Sequence, residues 1–523
     1  MSCLTPWLLG GPGLRGTILL IAAVGPFLGS PALLATIPEV SITDSEISAV
    51  VESELRLEKG VAPQAVAVST RDRITTLSGA VDNLLAQERA VKLAEGIRGV
   101  EGVIDRIVVT PAVRPDEDLR HDLQAALKQD PATQSYPVEV SIKDGAATLT
   151  GTVGSHGDQQ LAARIAAGII GIRAVVNRIT ISYAEKRSDR QIAGDVTSRL
   201  HWDLWINGGS VDATVKAGKV TLTGTVGSAI GKSRASDDAW VNGVTSVAEE
   251  GLKVDPSANP APPRVSAFGT PPDRELKDAI LASLRLDPRV AAFALNVTVE
   301  SGVIILGGDV DNLKAKVTAE QDARNIVGVW QVDNLIKVAN REPITAAQAE
   351  KQLKAALFWD PLLVGVNVDV AVVHGNAYLS GAVGTSSEKT EAQDVASKIK
   401  GVIWVRNHLH VQPEAIIAYD DDWDYNSTFG WPFYSSAPFY AFETYGPHLA
   451  MSDEQIKQKI ERALFWSPFV GRNDVKVTVD GAVATLTGTV GTWIGWAEAD
   501  KDAHKSGATA VWDRVAVNPR HGW

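Results

Sequence analysis

The sequence predicts an α+β protein of six tandem small domains. Each is a two-layer αββαβ unit in which a three-stranded sheet carries two helices on one face. A Leu-x-Gly-x-Val motif recurs six times, after alternating apolar residues that are typical of a β-hairpin. The clearest hairpin is 138–151, where Asp144-Gly145 suits a tight primed turn. The signature glycines are Gly79, Gly151, Gly224, Gly308, Gly381 and Gly488.

Two helices are predicted in each unit. The first begins at a capping box in four units (Thr43/Glu46, Ser188/Gln191, Thr345/Gln348 and Ser452/Gln455) and at Pro115-Asp116 or Pro272-Asp273 in the other two. Where a proline follows, the helix is expected to end: Asp130-Pro131, Asp287-Pro288, Asp360-Pro361 and Ser467-Pro468.

The second helix follows the signature motif. In every unit it carries alanines 11 and 15 residues after the glycine, which lets it lie close on the hairpin. A further glycine, 19 or 20 residues on, is expected to cap this helix, and a last strand completes the unit.

The repeat places the units at 43–111, 115–183, 188–255, 272–339, 344–412 and 451–518. A proline-rich linker at 256–271 divides them three against three, and an acidic and aromatic insertion occupies 413–450. We expect that insertion to pack on a neighbouring unit or to contact a partner. The first unit lacks the Asp-Pro stop near 61–63 and the third has Glu249 where others have Asn or Asp, so both are expected to be less regular.

The N-terminus resembles a secretory signal peptide at 1–35. Arg15 precedes an apolar run at 16–28, and small residues lead to Ala35, after which cleavage is expected. The run is short for a membrane anchor, the alternative interpretation. Cys3 is the only cysteine, so a mature chain has no disulfide, and the periplasm or the exterior is the expected location.

Composition and motifs disfavour several functions. A formal net charge of −12 argues against nucleic acid and against simple electrostatic attachment to anionic lipid. Gly231-Lys232-Ser233 has Val226 where a phosphate loop needs glycine, so no nucleotide is predicted. No nucleophile motif or His-Glu-x-x-His occurs, and neither an enzyme nor a cofactor is expected.

Two short patterns invite a metal-site interpretation. Asp420, Asp422 and Asp424 lack the glycine and glutamate of a calcium loop, so a solvated acidic linker is favoured over a weak divalent-ion site. His408 and His410 have no identifiable third ligand, which favours an edge-strand surface pair. No metal site is predicted.

Aromatic residues at the ends of first helices are the candidate contact residues. Units one, two and four lack the pattern, so the fold does not require it. We predict contact with a lipid or a partner, against the alternative of burial between units. Trp330, Trp404 and Trp512 are predicted in core or inter-unit packing. The candidates are Trp202, Trp205, Phe358, Trp359, Phe465, Trp466 and Phe469.

Three motifs resemble the BON domain family of bacterial osmotically inducible periplasmic and nodulation-associated proteins. They are Leu-x-x-Asp-Pro at 127–131 and 284–288, Val-x-Leu-x-Gly-x-Val at 220–226, and Gly-Val-x-x-Val-x-Asn at 328–334. The resemblance implies a non-enzymatic periplasmic envelope protein that binds phospholipid or another hydrophobic surface, with a part in envelope stress protection. The alternative is a chaperone-like scaffold that binds envelope proteins. The family has no established catalytic residues to carry over.

Overall fold

The computed structural model describes residues 42–57, 66–206, 211–255, 271–339, 344–412, 451–471 and 474–518. The described residues, which begin at Ile42, form one compact body. The predicted signal peptide at 1–35, the insertion at 413–450 and all but the last residue of the linker at 256–271 lie outside the described residues.

The first three units each contain two helices and three strands. Unit 1 has α1 (Asp44–Leu57), β1 (Val66–Arg71), β2 (Ile74–Val81), α2 (Leu84–Glu95) and β3 (Gly102–Val109). Unit 2 has α3 (Asp116–Gln129), β4 (Glu139–Lys143), β5 (Ala146–Val153), α4 (His156–Ala167) and β6 (Ala174–Ile181). Unit 3 has α5 (Asp189–Trp202), β7 (Val211–Lys216), β8 (Lys219–Val226), α6 (Ala229–Asp238) and β9 (Ser246–Val254).

The last three units repeat this order. Unit 4 has α7 (Asp273–Leu286), β10 (Asn296–Glu300), β11 (Val303–Gly307), β12 (Asp309–Val310), α8 (Leu313–Arg324), β13 (Gln331–Asn334) and β14 (Lys337–Val338). Unit 5 has α9 (Ala346–Phe358), β15 (Val368–Val373), β16 (Asn376–Val383), α10 (Ser386–Lys398) and β17 (Trp404–Val411). Unit 6 has α11 (Asp453–Trp466), β18 (Val475–Asp480), β19 (Val483–Val490), α12 (Trp493–Lys505) and β20 (Ala510–Val517).

Every unit has the same sheet topology. The hairpin strands pair antiparallel, and the second of them pairs in parallel with the last strand, as β1, β2 and β3 do in unit 1. A parallel pair needs a crossover, which the second helix supplies. In unit 4 the pairing is interrupted into β10-β11-β13 and β12-β14. The predicted αββαβ fold is confirmed in all six units.

Left-handed backbone closes the hairpins, as Asp144-Gly145 predicts. Asp144 has φ 51° and Gly145 has φ 71°, the combination of a type I′ turn. Arg73 and Ala482 adopt similar positive φ angles in units 1 and 6 without being glycine.

The packing prediction for the second helix is also confirmed, because the twelve signature alanines are fully buried. The predicted starts and ends of the first helices agree with the structure, including the capping boxes of α5, α9 and α11. The cap assigned to the later glycines is wrong. Gly99 and Gly171 have φ of 91° and 102°, but their helices end at Glu95 and Ala167, so these glycines shape the turn into the last strand.

Unit 3 is irregular beside Glu249, where its last strand has one residue more than that of unit 2. The pairing of β8 with β9 shifts register between Thr221 and Thr223, which is a β-bulge. In unit 2 the residue at this position is Asn177, whose side-chain amide donates to Gln159 O of the second helix and accepts from Ile179 N–H of the last strand. Asn334 and Asn407 make the same bridge in units 4 and 5. Unit 3 nevertheless retains its complete three-stranded sheet.

Candidate functional site: the aromatic helix ends

The aromatic pair of unit 5 is exposed. Phe358 at the end of α9 is 72% exposed and the adjacent Trp359 is 52% exposed. Their rings meet edge to face with centroids 5.0 Å apart. The Arg114 guanidinium lies 5.3 Å from the Trp359 ring centroid, which is cation–π distance. This end of unit 5 therefore presents two large apolar rings beside a cation.

The equivalent end of unit 3 is packed on unit 4. Trp202 packs against the core of unit 4. Its carbonyl oxygen accepts a 2.8 Å hydrogen bond from Val327 N–H, and Leu204 N–H donates to Asn325 O at 3.0 Å. Backbone pairing thus joins the end of α5 to the turn after α8.

Unit 6 makes the corresponding contact with unit 1. Trp466 is only 8% exposed and belongs to the core cluster of unit 1, with Phe465 packed beside it. Arg98 N–H donates to Trp466 O at 2.9 Å. The Arg98 guanidinium donates to Ser467 O and Val470 O at 2.5 and 3.0 Å. The backbone N–H of Val327 in unit 4 and that of Arg98 in unit 1 each donate to the carbonyl oxygen of a helix-end tryptophan. The two contacts are therefore equivalent.

Units 3 and 6 also meet directly. The rings of Trp205 and Phe469 lie edge to face with centroids 4.7 Å apart. Each residue stands two positions after the residue that caps its helix, Asp203 or Ser467.

The structure therefore divides the seven candidates. Phe358 and Trp359 face solvent, Trp466 is buried, and the other four are half-buried between units. Contact of any of them with lipid stays a prediction. Only the pair in unit 5 is available without rearrangement of the described residues.

The prediction of core packing is wrong for two other tryptophans. Trp404 and Trp512 are 55% and 58% exposed, on the sheet faces that carry no helix. The last strand alternates in and out, and both residues fall on its outward register. Trp330 is half-buried beside Gly302.

Other motifs fall at ordinary structural positions. Gly231 lies at the start of α6, where its N–H bonds Ser228 Oγ, and Ser233 Oγ donates to Glu95 of unit 1. His408 and His410 are exposed on β17. Among the described residues no three His, Cys, Asp or Glu side chains are grouped to hold a metal ion. No helix within the described ranges has the length and apolar character needed to cross a membrane.

Sequence analysis missed three aspartates that each have a carboxylate oxygen shielded from solvent. Asp238, Asp322 and Asp502 each stand 14 residues after a signature glycine, next to the buried alanine at position 15. The corresponding residues in the other units are Leu93, Ile165 and Val395. An acidic residue on a face that is otherwise apolar was the signal that could have revealed them.

These units define the class of protein: a tandem array of small α+β domains whose recurring residues build the fold and whose differing residues occupy junctions and surfaces. The chain belongs to the BON domain family, whose model matches 43–111, 115–183, 188–256, 272–340, 345–413 and 452–519.

Two relatives share part of this sequence. Osmotically-inducible protein Y of Escherichia coli (strain K12) is 32% identical over 141 residues, which are 26% of this chain and 70% of that protein. The outer membrane lipoprotein DolP of Haemophilus influenzae is 34% identical over 127 residues, 23% of this chain and 62% of the lipoprotein.

Solved structures of CdsD, a structural protein of the type III secretion system of Chlamydia trachomatis, give weaker similarity. One is 15% identical with a TM-score of 0.11, covering 38% of this chain and 87% of that one. Its C-terminal domain is 14% identical with a TM-score of 0.12, covering 41% of this chain and all of the domain.

Proposed function

We propose that this BON protein is a non-enzymatic protein of the periplasm that binds phospholipid or another hydrophobic surface of the cell envelope. The exposed aromatic pair of unit 5 carries the proposal. We also propose that the chain is exported with removal of residues 1–35. A part in osmotic stress protection completes the proposed function. The names of the two relatives, osmotically inducible protein and outer membrane lipoprotein, support this setting.

The neighbours of the pair favour an interface with lipid. Val364, a few residues further on, is 48% exposed. Val113, adjacent to the Arg114 that stacks on Trp359, is 94% exposed. Tryptophan offers an apolar body and one polar N–H, which suits the headgroup region of a bilayer. Insertion of rings reconciles lipid binding with the acidic net charge, because it does not depend on long-range attraction.

Vesicle co-sedimentation tests this proposal. The full chain should bind vesicles of phosphatidylethanolamine and phosphatidylglycerol, and the double substitution Phe358→Ala/Trp359→Ala should reduce binding about tenfold or more, because two buried rings contribute several kcal/mol. Trp512→Ala, which removes an exposed tryptophan elsewhere, is the matched control and should bind like the parent. Equal binding by the double variant, or no binding by the parent, would refute lipid contact at unit 5.

A scaffold or holdase-like chaperone is the second candidate. Trp404 and Trp512 favour it, because exposed tryptophans on outward sheet faces suit contact with proteins. Suppression of the aggregation of an unfolded client without lipid, weakened by Trp404→Ala, would support it. Failure with several clients would count against it.

A further inference from the structure

Carboxyl groups outnumber cations at the junction of units 3 and 4. Asp203 and Asp238 of unit 3 are 5% and 1% exposed. Arg234 Nε donates to Asp203 Oδ2 at 2.9 Å, and Arg199 Nε donates to Asp238 Oδ1 at 2.7 Å. The two guanidinium groups balance the two carboxylates of unit 3.

Unit 4 adds carboxyl groups to this cluster without adding free cations. Asp322 on α8 and Asp287 at the end of α7 interact electrostatically with the unit 3 groups. Asp322 Oδ2 and Asp238 Oδ2 are shielded from solvent and have no hydrogen-bond partner among the described residues. Nearby cations are committed to other carboxylates: Arg289 to Asp130 (3.2 Å), Lys314 to Asp394 (2.5 Å), Lys92 to Glu88 (2.7 Å) and Arg324 to Glu320 (2.6 Å).

Buried charge without compensation is costly, and a carboxyl group avoids this cost by holding a proton. Burial, followed by the charge of Asp238, raises the pKa of Asp203 to about 7. Burial and the charge of Asp287 raise the pKa of Asp322 well above its ordinary value. Burial also raises the pKa of Asp287, and of Asp237 beside the cluster. Burial in the closed junction therefore favours the protonated form of these carboxyl groups.

The same junction covers the aromatic end of α5. The cluster residue Asp203 forms an isolated β-bridge with Ile326 of unit 4, between the two backbone hydrogen bonds of Trp202 and Leu204. Opening at the cluster would break this pairing and uncover the Trp202 ring.

We propose that the carboxyl cluster between units 3 and 4 is an alkali-sensitive latch, whose loss of protons separates the end of α5 from unit 4 and exposes Trp202. The surface that it uncovers is apolar, and the latch operates whether or not unit 5 binds lipid.

The direction of the effect follows from proton linkage. A carboxyl group whose pKa is higher in the closed state than in the open state binds more protons when closed. Its contribution to closure is complete below the ordinary carboxyl pKa of about 4 and is lost as pH rises toward the closed-state value, about 7 for Asp203. Within that window each such group increases the opening equilibrium up to about tenfold per pH unit.

The junction of units 6 and 1 has a smaller version of this arrangement. Asp502 on α12 has a shielded Oδ2 without a partner among the described residues, and burial and Glu498 raise its pKa to about 8. Glu54 of unit 1 adds a like charge, and Lys505 lies 3.8 Å from Glu54. Both contacts that cover a helix-end tryptophan thus include a carboxyl group with a shielded oxygen.

Hydrogen–deuterium exchange on the full chain tests the latch, with labelling times corrected for the intrinsic effect of pH. From about pH 5 to about pH 8, the amides of Leu204 and Val327 should lose protection by about tenfold or more. Asp322→Asn keeps the shape and removes one of the titrating carboxyl groups, so it should lose clearly less protection than the parent across this range. Asp322→Val, which copies Val395 of unit 5, should do the same and serves if the asparagine variant folds poorly.

Asp369→Asn is the matched control, because Asp369 is an exposed carboxyl on β15. It should lose protection as the parent does. Protection independent of pH in the parent would overturn the latch, as would an unchanged pH dependence in both Asp322 variants. Equal loss of protection in all six units would also overturn it, since it would mean global unfolding.

Discussion

The signature glycine of each unit is required by its backbone. Gly151 has φ 138° within β5, and a Cβ there would lie 2.5 Å from Pro137 O. Gly381 has φ 122°, with Asn367 O 2.8 Å from the same point. Only glycine accepts this conformation without strain and allows the neighbouring backbone to approach so closely.

Gly151→Ala should therefore lower the free energy of unfolding by about 2 kcal/mol. The matched control is Gly194→Ala on α5, where no atom other than the adjacent backbone of the helix itself lies within 4 Å of the added Cβ. That change should raise stability by up to about 1 kcal/mol, because alanine favours helix. Chemical denaturation measures both. Equal effects of the two substitutions would contradict the backbone explanation.

At the scale of elements, an aspartate at the start of the first helix holds the hairpin turn. Asp116 accepts hydrogen bonds from Asp144 N–H and Gly145 N–H at 2.8 and 2.9 Å. Asp189 does the same in unit 3, where these bonds lower its pKa. Unit 5 alone has an alanine, Ala346, at this position.

Ala346→Asp should stabilise unit 5 by about 1 kcal/mol, because it restores charge-assisted bonds to the amides of His374 and Gly375. Ala347→Asp is the control: it places the same charge in the first turn of α9 but one residue away. Thermal unfolding should show a higher midpoint for the first variant than for the second. Identical midpoints would mean that only the helix dipole matters.

At the scale of the whole molecule, one contact between units recurs at the same position of the repeat, but the side chain that makes it differs from unit to unit. A residue five positions after a signature glycine packs against a neighbouring unit. Leu84 packs on the core of unit 2, Ala229 belongs to the core of unit 1, and Leu313 to that of unit 5. Trp493 packs on unit 4, beneath Arg324. In unit 2 the residue is His156, stacked on Trp240 of unit 3 at 3.9 Å.

His156 should make this junction sensitive to acid. Burial lowers its pKa to about 4, below the ordinary value of 6.5. The junction is therefore fully stable above about pH 6.5 and loses stability as pH falls toward about pH 4. His156→Phe keeps the stack on Trp240, and in this variant the free energy of unfolding should fall less as the pH is lowered through this window. His121→Gln, at an exposed site on α3, should leave it unchanged, and a parent-like profile for His156→Phe would contradict the assignment.

Sequence periodicity predicted the module well, because its signals are local. Hairpin turns, helix caps and prolines act within a few residues, and the alanine spacing reports one helix face. The later glycines were misassigned as caps because positive φ also serves a turn. Gly171 lies so close to Leu119 that a Cβ would approach its Cδ2 to 2.9 Å, a contact that spacing does not reveal.

The sequence by itself determined the αββαβ unit, its six copies and the residues that each copy needs. Only the tertiary structure decided which aromatic helix ends are covered and which aspartates share a cluster. Trp359 and Trp466 look alike in sequence, yet one is exposed and the other is buried in unit 1. The reason is that burial there depends on a neighbour hundreds of residues away, and no local pattern encodes that neighbour.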